Sequence, residues 1–219
     1  MEVVYHKTAF KLSELPLTKI HVIDDWCPQE LWYNFENKIS KSNRWSFDND
    51  VTYKDGVTTE ITWAIWLYGR WMKPLNDQSE IADPIIQKLC DDFGVQYDQF
   101  EFSGINGQTR GLQGSVHVDA YRKKNISFLW HLNTEWKPEW GGAFRVYKLD
   151  TIDQGHRGFS QELVDNWQIA EIEYKPNRVI IMDGRYPHSA DAPTDESGYT
   201  LRKTMVVRGE VAKLTHDSN

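Results

Sequence analysis

From about residue 96 onward the chain changes texture, and that change limits the possible folds more than any other feature. Short runs rich in β-branched and aromatic residues follow one another, each closed by turn-forming residues. The runs are Tyr97–Ser103, Leu112–Asp119, Ile126–Asn133, Ala143–Tyr147, Gln168–Tyr174, Arg178–Asp183 and Thr200–Arg208. Gly141-Gly142, Pro176-Asn177, Asp183-Gly184 and Ser197-Gly198 supply turns between them. Seven short strands at this spacing predict a closed sandwich or jelly roll. The polar stretch Asp150 to Trp167 reads as an inserted loop with room for one helical turn.

The first 95 residues read differently. Leu31, Phe35 and Ile39 recur at helical spacing behind Pro28, with Trp32 widening the apolar stripe. A second helix is expected to open at Asp83-Pro84, bury Ile85, Ile86, Leu89 and Phe93, and end at Gly94. Between the helices, Arg44 to Met72 carries seven aromatic residues. Asp55-Gly56 reads as a turn and Thr58–Trp66 as β-rich, so this part is expected to be a hairpin on the core or a wall over a pocket. The expectation is one domain over residues 1–219, with 1–95 as a helical and aromatic buttress and 96–210 as the jelly-roll core.

Composition narrows the partners. Charged residues sum to −7, with no basic stripe, which argues against nucleic acid and an anionic membrane surface. No run approaches the roughly 20 apolar residues of a membrane span, and Met1 to Phe10 lacks a signal-peptide pattern. Cys27 and Cys90 are too few for a disulfide framework. The expectation is a reduced, cytoplasmic protein with two core thiols; oligomeric state is not legible.

Three features carry chemistry. In His117-Val118-Asp119, residues i and i+2 of a strand share a face, so an imidazole and a carboxylate can reach one divalent ion. With seven histidines and 32 acidic residues, about one such triplet arises by chance, so the motif alone is weak. His188 follows the run Val179–Asp183 and can add a third ligand, completing a two-histidine, one-carboxylate facial triad with open positions for Fe(II). Arg202 lies in the last run, either on a solvent face or aimed inward at a buried carboxylate.

These residues, with Phe128-Leu129-Trp130-His131-Leu132-Asn133 and Gly141-Gly142-Ala143-Phe144 between them, resemble the Fe(II)/2-oxoglutarate dioxygenases, and within them the prolyl-4-hydroxylase-like subgroup. The likeness runs from about Asn106 to Glu210, and Ile23-Asp24-Asp25-Trp26 also resembles how such chains begin. It implies a double-stranded β-helix, mainly β (α+β), with N-terminal helices packed on one sheet. It implies Fe(II) on His117, Asp119 and His188, and 2-oxoglutarate on Arg202. The reaction implied is hydroxylation of an unactivated C–H bond by O2, with release of succinate and CO2. Ascorbate is a candidate reductant. A prolyl, peptidyl or amino-acid-like substrate comes first, another small molecule second.

The chain departs from the subgroup in places. His131 stands where tyrosine is common, and alternation still lets it reach the co-substrate. Asn106, Gln108, Arg110 and Gln113 precede the first ligand; Asn106 is taken as a co-substrate contact. Arg208 echoes a second arginine of the related nucleic-acid demethylases, found near the metal-site carboxylate or the co-substrate. On one strand it lies about 20 Å from Arg202, so the two cannot share a carboxylate. Tyr121, Arg122, Trp130 and Arg145 are candidates for the pocket rim, each read first as structural or solvated. A demethylase, a non-catalytic jelly-roll module and a zinc hydrolase are the competing readings; the last lacks a His-Glu-x-x-His motif.

Overall fold

The computed structural model describes residues 2–14, 17–49, 61–69, 72–96, 100–120, 125–148, 158–159 and 167–210. Fourteen strands form among them: β1 (Val3–His6), β2 (Ile20–Ile23), β3 (Ser46–Asn49), β4 (Thr62–Gly69), β5 (Lys73–Pro74), β6 (Phe100–Gln108), β7 (Val116–His117), β8 (Asn125–His131), β9 (Phe144–Tyr147), β10 (Gly158–Phe159), β11 (Gln168–Ile172), β12 (Val179–Asp183), β13 (His188–Ala190) and β14 (Arg202–Glu210). The two helices are α1 (Gln29–Ser40) and α2 (Ser79–Phe93).

The strands make two sheets. The major sheet runs β1-β2-β12-β8-β14-β6-β4-β3, with β5 against β4; the minor sheet runs β10-β7-β13-β9-β11. This is the expected jelly roll with helices on one sheet. The first 95 residues do more than buttress it, because β1 to β5 are themselves strands of the major sheet.

Alternation along the central strands divides the side chains between two layers. Ile105, Phe128, Trp130, Met205 and Val207 face the helices and pack with Trp32, Phe35, Ile39, Ile86, Leu89 and Phe93. Phe35 stacks on Trp130 at 5.6 Å between centroids. Leu129, Ile180, Met182 and Val206 face the other way and meet Phe144, Val146, Ala170 and Ile172 of the minor sheet. Each fully buried side chain of this size contributes about 1.5–3 kcal/mol.

α1 forms where its apolar spacing predicts, with Pro28 preceding it as the N-cap. α2 starts earlier than the expected Asp83-Pro84, leaving Pro84 inside the helix. The cause is local: Asn76 Oδ1 accepts from the Gln78 N–H at 2.8 Å, and Ser79 Oγ donates to the Leu67 carbonyl, so the turn is set before the proline. Asp83 instead accepts from the Tyr68 hydroxyl. Gly94 ends α2 in the left-handed region, as expected.

The strands from residue 96 overlap most of their expected places, but β6 runs past the expected end at Ser103 to Gln108, and β13 is not among the expected runs. The run Leu112–Asp119 is strand only at Val116–His117. Gly114 N–H donates to the Ala190 carbonyl, and the N–H groups of Asp119 and Ala120 both donate to Gly184, so no continuous ladder forms. The Asp55-Gly56 turn and most of the Asp150–Trp167 loop lie outside the described residues. Cys27 and Cys90 are buried free thiols. No helix among the described residues is long and apolar enough to cross a membrane.

Candidate active site

The minor sheet brings the two histidines together. β7 and β13 pair antiparallel with His117 directly opposite His188, and their rings lie 4.4 Å apart. Asp119 follows as β7 ends, held by its backbone N–H on Gly184. A ligand atom from each of the three lies within 4.8 Å of the others. His117 Nε2 is 3.7 Å from Asp119 Oδ1 and His188 Nε2 is 3.6 Å from Oδ2.

The tautomers favour a metal. His117 Nδ1 meets the Ser115 carbonyl at 2.8 Å and His188 Nδ1 the Tyr186 carbonyl at 2.9 Å. A carbonyl only accepts, so Nδ1 carries the proton in both rings and Nε2 keeps its lone pair for the shared space. Burial first, then neighbouring His188, lowers the His117 pKa, which keeps that lone pair available. Burial alone would raise the Asp119 carboxyl; Arg208, the two imidazoles and Ser127 outweigh it and hold it well below the usual carboxylate range. Two imidazoles with Nε2 turned to the shared space and one anionic carboxylate fit a divalent ion such as Fe(II).

Both carboxylate oxygens are also fixed from behind. Ser127 Oγ donates to Oδ2 at 2.6 Å and Arg208 Nη1 donates to Oδ1 at 3.0 Å. Arg208 therefore serves the metal-site carboxylate. Of the two placements expected for it, the structure shows the one at the carboxylate, through Nη1, while its guanidinium lies 4.3 Å over the Phe102 ring.

Arg202 lies on the same face of β14 and is 2% exposed. Its Nε donates to the Gly142 carbonyl at 2.9 Å, and Nη1 donates to Gln108 Oε1 at 2.9 Å and Thr204 Oγ1 at 3.0 Å. Its guanidinium sits 4.6 Å from the Tyr174 ring centre. No carboxylate bonds to it among the described residues. Buried arginines are rarely left without an anion; here burial pulls the pKa down to about 10. Gly142 makes the approach possible, because a Cβ there would stand 2.9 Å from Arg202 Cδ.

His131 stacks on the other ring neighbour of that pocket, 4.1 Å from Tyr174 and opposite Thr204 in register. It is fully buried. His131 Nδ1 lies 3.2 Å from both the N–H and the carbonyl of Lys175, contacts that suit either ring tautomer. The Nε2 of the same ring is buried with no hydrogen-bond partner. Burial and then Arg202 hold its pKa well below the ordinary histidine value. A buried cation with no counter-ion among the described residues, beside a buried ring nitrogen with no partner, fits one carboxylate of a dicarboxylic acid.

The other expected residues separate. Asn106 lies in the same cross-strand row as Thr204 and His131, but Gln108 meets Arg202. Gln113 bridges Asp191 and Ala192, and Arg110 pairs with Asp195. Trp130 belongs to the helix-side core and Arg145 to ion pairs with Asp191 and Glu171, so neither lines the pocket rim. Tyr121 and Arg122 lie outside the described residues. Ser127, Tyr174 and Thr204 escaped the sequence reading; strand register, not residue type, brings them to the site.

The profile of the 2OG-Fe(II) oxygenase superfamily matches residues 105–172, which include His117 and Asp119. The match spans about a third of the chain, and the chain is similar to that superfamily there. A prolyl hydroxylase from Trichoplax adhaerens, solved with a hypoxia inducible factor peptide fragment, has a similar fold. It shares 14% identity at a TM-score of 0.55, over 95% of this chain and 93% of that one. An oxidoreductase of the 2OG-Fe(II) oxygenase family from Burkholderia pseudomallei shares 15% identity at a TM-score of 0.56, over 93% and 95%. AviO1 from Streptomyces viridochromogenes Tue57 shares 10% identity at a TM-score of 0.54, over 85% and 86%. No curated protein is similar enough in sequence to count as a relative.

Proposed function

We propose that this dioxygenase hydroxylates a C–H bond of a peptidyl or small amino-acid-like substrate: 2-oxoglutarate, O2 and R–H give succinate, CO2 and R–OH. The observation that carries the reading is Arg202, a buried guanidinium with no counter-ion among the described residues, on the same strand face as the arginine that holds the Asp119 carboxylate. Register supplies the path between them. Arg202, Thr204, Val206 and Arg208 alternate along the concave face of β14, in steps of roughly 6.6–6.8 Å.

Fe(II) on His117, Asp119 and His188, with the keto acid and O2, supplies the oxidising chemistry. The chain's own residues do the rest. Arg202 holds the distal carboxylate, with His131 in the tautomer that carries its proton on Nε2 as a second donor, an electrostatic and geometric anchor that orients the keto acid toward the triad. Val206 and Leu129 wall the space between with apolar surface and exclude water. Arg208 and Ser127 keep Asp119 ionised and in one rotamer. The peptidyl branch is supported by the fold likeness to a prolyl hydroxylase that binds a peptide fragment.

The test is decarboxylation of 2-oxoglutarate followed by succinate release. Turnover should require both Fe(II) and O2 and should demand far more co-substrate in Arg202→Ala. Folded, iron-loaded protein that forms no succinate with peptide or amino-acid substrates would count against the proposal.

A further inference from the structure

The concave face of the major sheet continues past β14 onto β6, β4 and β3. Register aligns it in rows: Ser46, Ala64, Asn106, Thr204 and His131 in one; Trp66, Gly104, Val206 and Leu129 in the next; Phe102, Arg208 and Ser127 in the third. His131 and Thr204 end the first row at the co-substrate anchor, and Arg208 and Ser127 end the third at Asp119. The outer part of the same face has no role in the reading so far.

That outer part is a built surface. Trp66 packs edge-on to Phe102 at 5.6 Å, and Phe102 underlies Arg208 at 4.3 Å. Gly104 seats the Phe102 ring: a Cβ there would stand 3.1 Å from Phe102 Cζ and 3.3 Å from the Ile65 carbonyl. Trp66 is held from outside by its Nε1–H on Asp48 Oδ1 at 3.1 Å. Asn106 is half-buried, and its carboxamide makes no hydrogen bond among the described residues. Arg208, the cation among these residues, is already paired with Asp119.

We propose that Trp66, Phe102 and Asn106 form the substrate ledge and select a neutral, amide-bearing substrate of the blocked-peptide class over a free amino acid. This rests on the Fe(II)/2-oxoglutarate reading and deepens it. It also moves Asn106 from the co-substrate to the substrate. A carboxamide offers one donor and one acceptor, the complement of a peptide group. An indole face takes a flat amide or a saturated ring at little entropy cost. Among the described residues, a free carboxylate finds no unpaired cation on the ledge and meets Asp48 at its outer edge.

The experiment uses the full chain with Fe(II) and 2-oxoglutarate, without oxygen, and reads the metal-to-ligand charge-transfer band. The probes are N-acetyl-proline methylamide and free proline. The blocked peptide should shift the band of the wild type, and free proline should not. Trp66→Ala and Asn106→Leu should each raise the half-maximal peptide concentration at least about tenfold, the worth of roughly 1.4 kcal/mol, while the band formed with 2-oxoglutarate alone persists. Trp66→Phe, which keeps a ring, should lose much less. Equal peptide response in all variants, a response to free proline alone, or a band that neither probe moves would each overturn the ledge. A wild-type band that never forms removes the parent reading together with this one.

Discussion

Arg202 is the residue on which the co-substrate assignment turns. It is buried among neutral acceptors, Gly142, Gln108 and Thr204, which orient it without cancelling its charge. Lysine would keep the charge and lose the fork. Arg202→Lys should weaken 2-oxoglutarate binding roughly tenfold to hundredfold, equivalent to one charge-assisted bond of about 1.5–3 kcal/mol, as titration calorimetry can read. His131 adds a pH signature. The folded chain keeps it neutral, while the unfolded chain protonates near pH 6.5. The unfolded state then binds more protons below about pH 6.5, so stability falls as pH drops through that value, by up to about 1.4 kcal/mol per unit. Urea midpoints at successive pH values should show this slope in wild type and lose that part of it in His131→Gln. At this scale the triad and Arg202 were legible, because their residue types and order are informative together. Ser127 and Gln108 act through partners that only the register supplies: Ser127 meets Asp119 and Gln108 meets Arg202.

Elements carry the site through a few backbone positions. Gly142 and Gly198 both have positive φ, +76° and +61°. A Cβ at Gly142 meets Arg202, whereas one at Gly198 meets nothing within 4 Å. Gly198→Ala should therefore cost only the backbone strain of its φ +61°, ψ −118° conformation, about 1–3 kcal/mol, and leave 2-oxoglutarate affinity alone. Gly142→Ala should carry its own positive-φ strain and weaken 2-oxoglutarate as well; melting curves and calorimetry on the pair separate the two effects. The long runs β6, β8, β12 and β14 were legible from composition. β2 and β13 are four and three residues long, and tertiary pairing makes them strands. The early start of α2 was hidden because Asn76 and Ser79, rather than the proline, set its first turn.

Across the whole molecule the metal site ties together segments distant in sequence. His117, Asp119 and His188 join β7 to β13, and Arg208 and Ser127 join that pair to the major sheet. Divalent metal should therefore stabilise the fold. At about a hundredfold excess over Kd the gain is about 2.7 kcal/mol, or roughly 5–10 °C in Tm for a chain of this size. Mn(II) can stand in for Fe(II) in a thermal scan, and His188→Ala should abolish the shift. The jelly roll was legible from strand spacing, whereas the entry of β1 to β5 into the major sheet was not, because the aromatic segment has no clean alternation.

The most direct test of the account is the visible spectrum of the protein with Fe(II) and 2-oxoglutarate, recorded without oxygen. A charge-transfer band should form in the wild type and be lost in both His117→Ala and Arg202→Ala, since one removes the metal and the other the anchor of the keto acid. A folded, iron-loaded wild type without the band, or a band indifferent to Arg202, would contradict it.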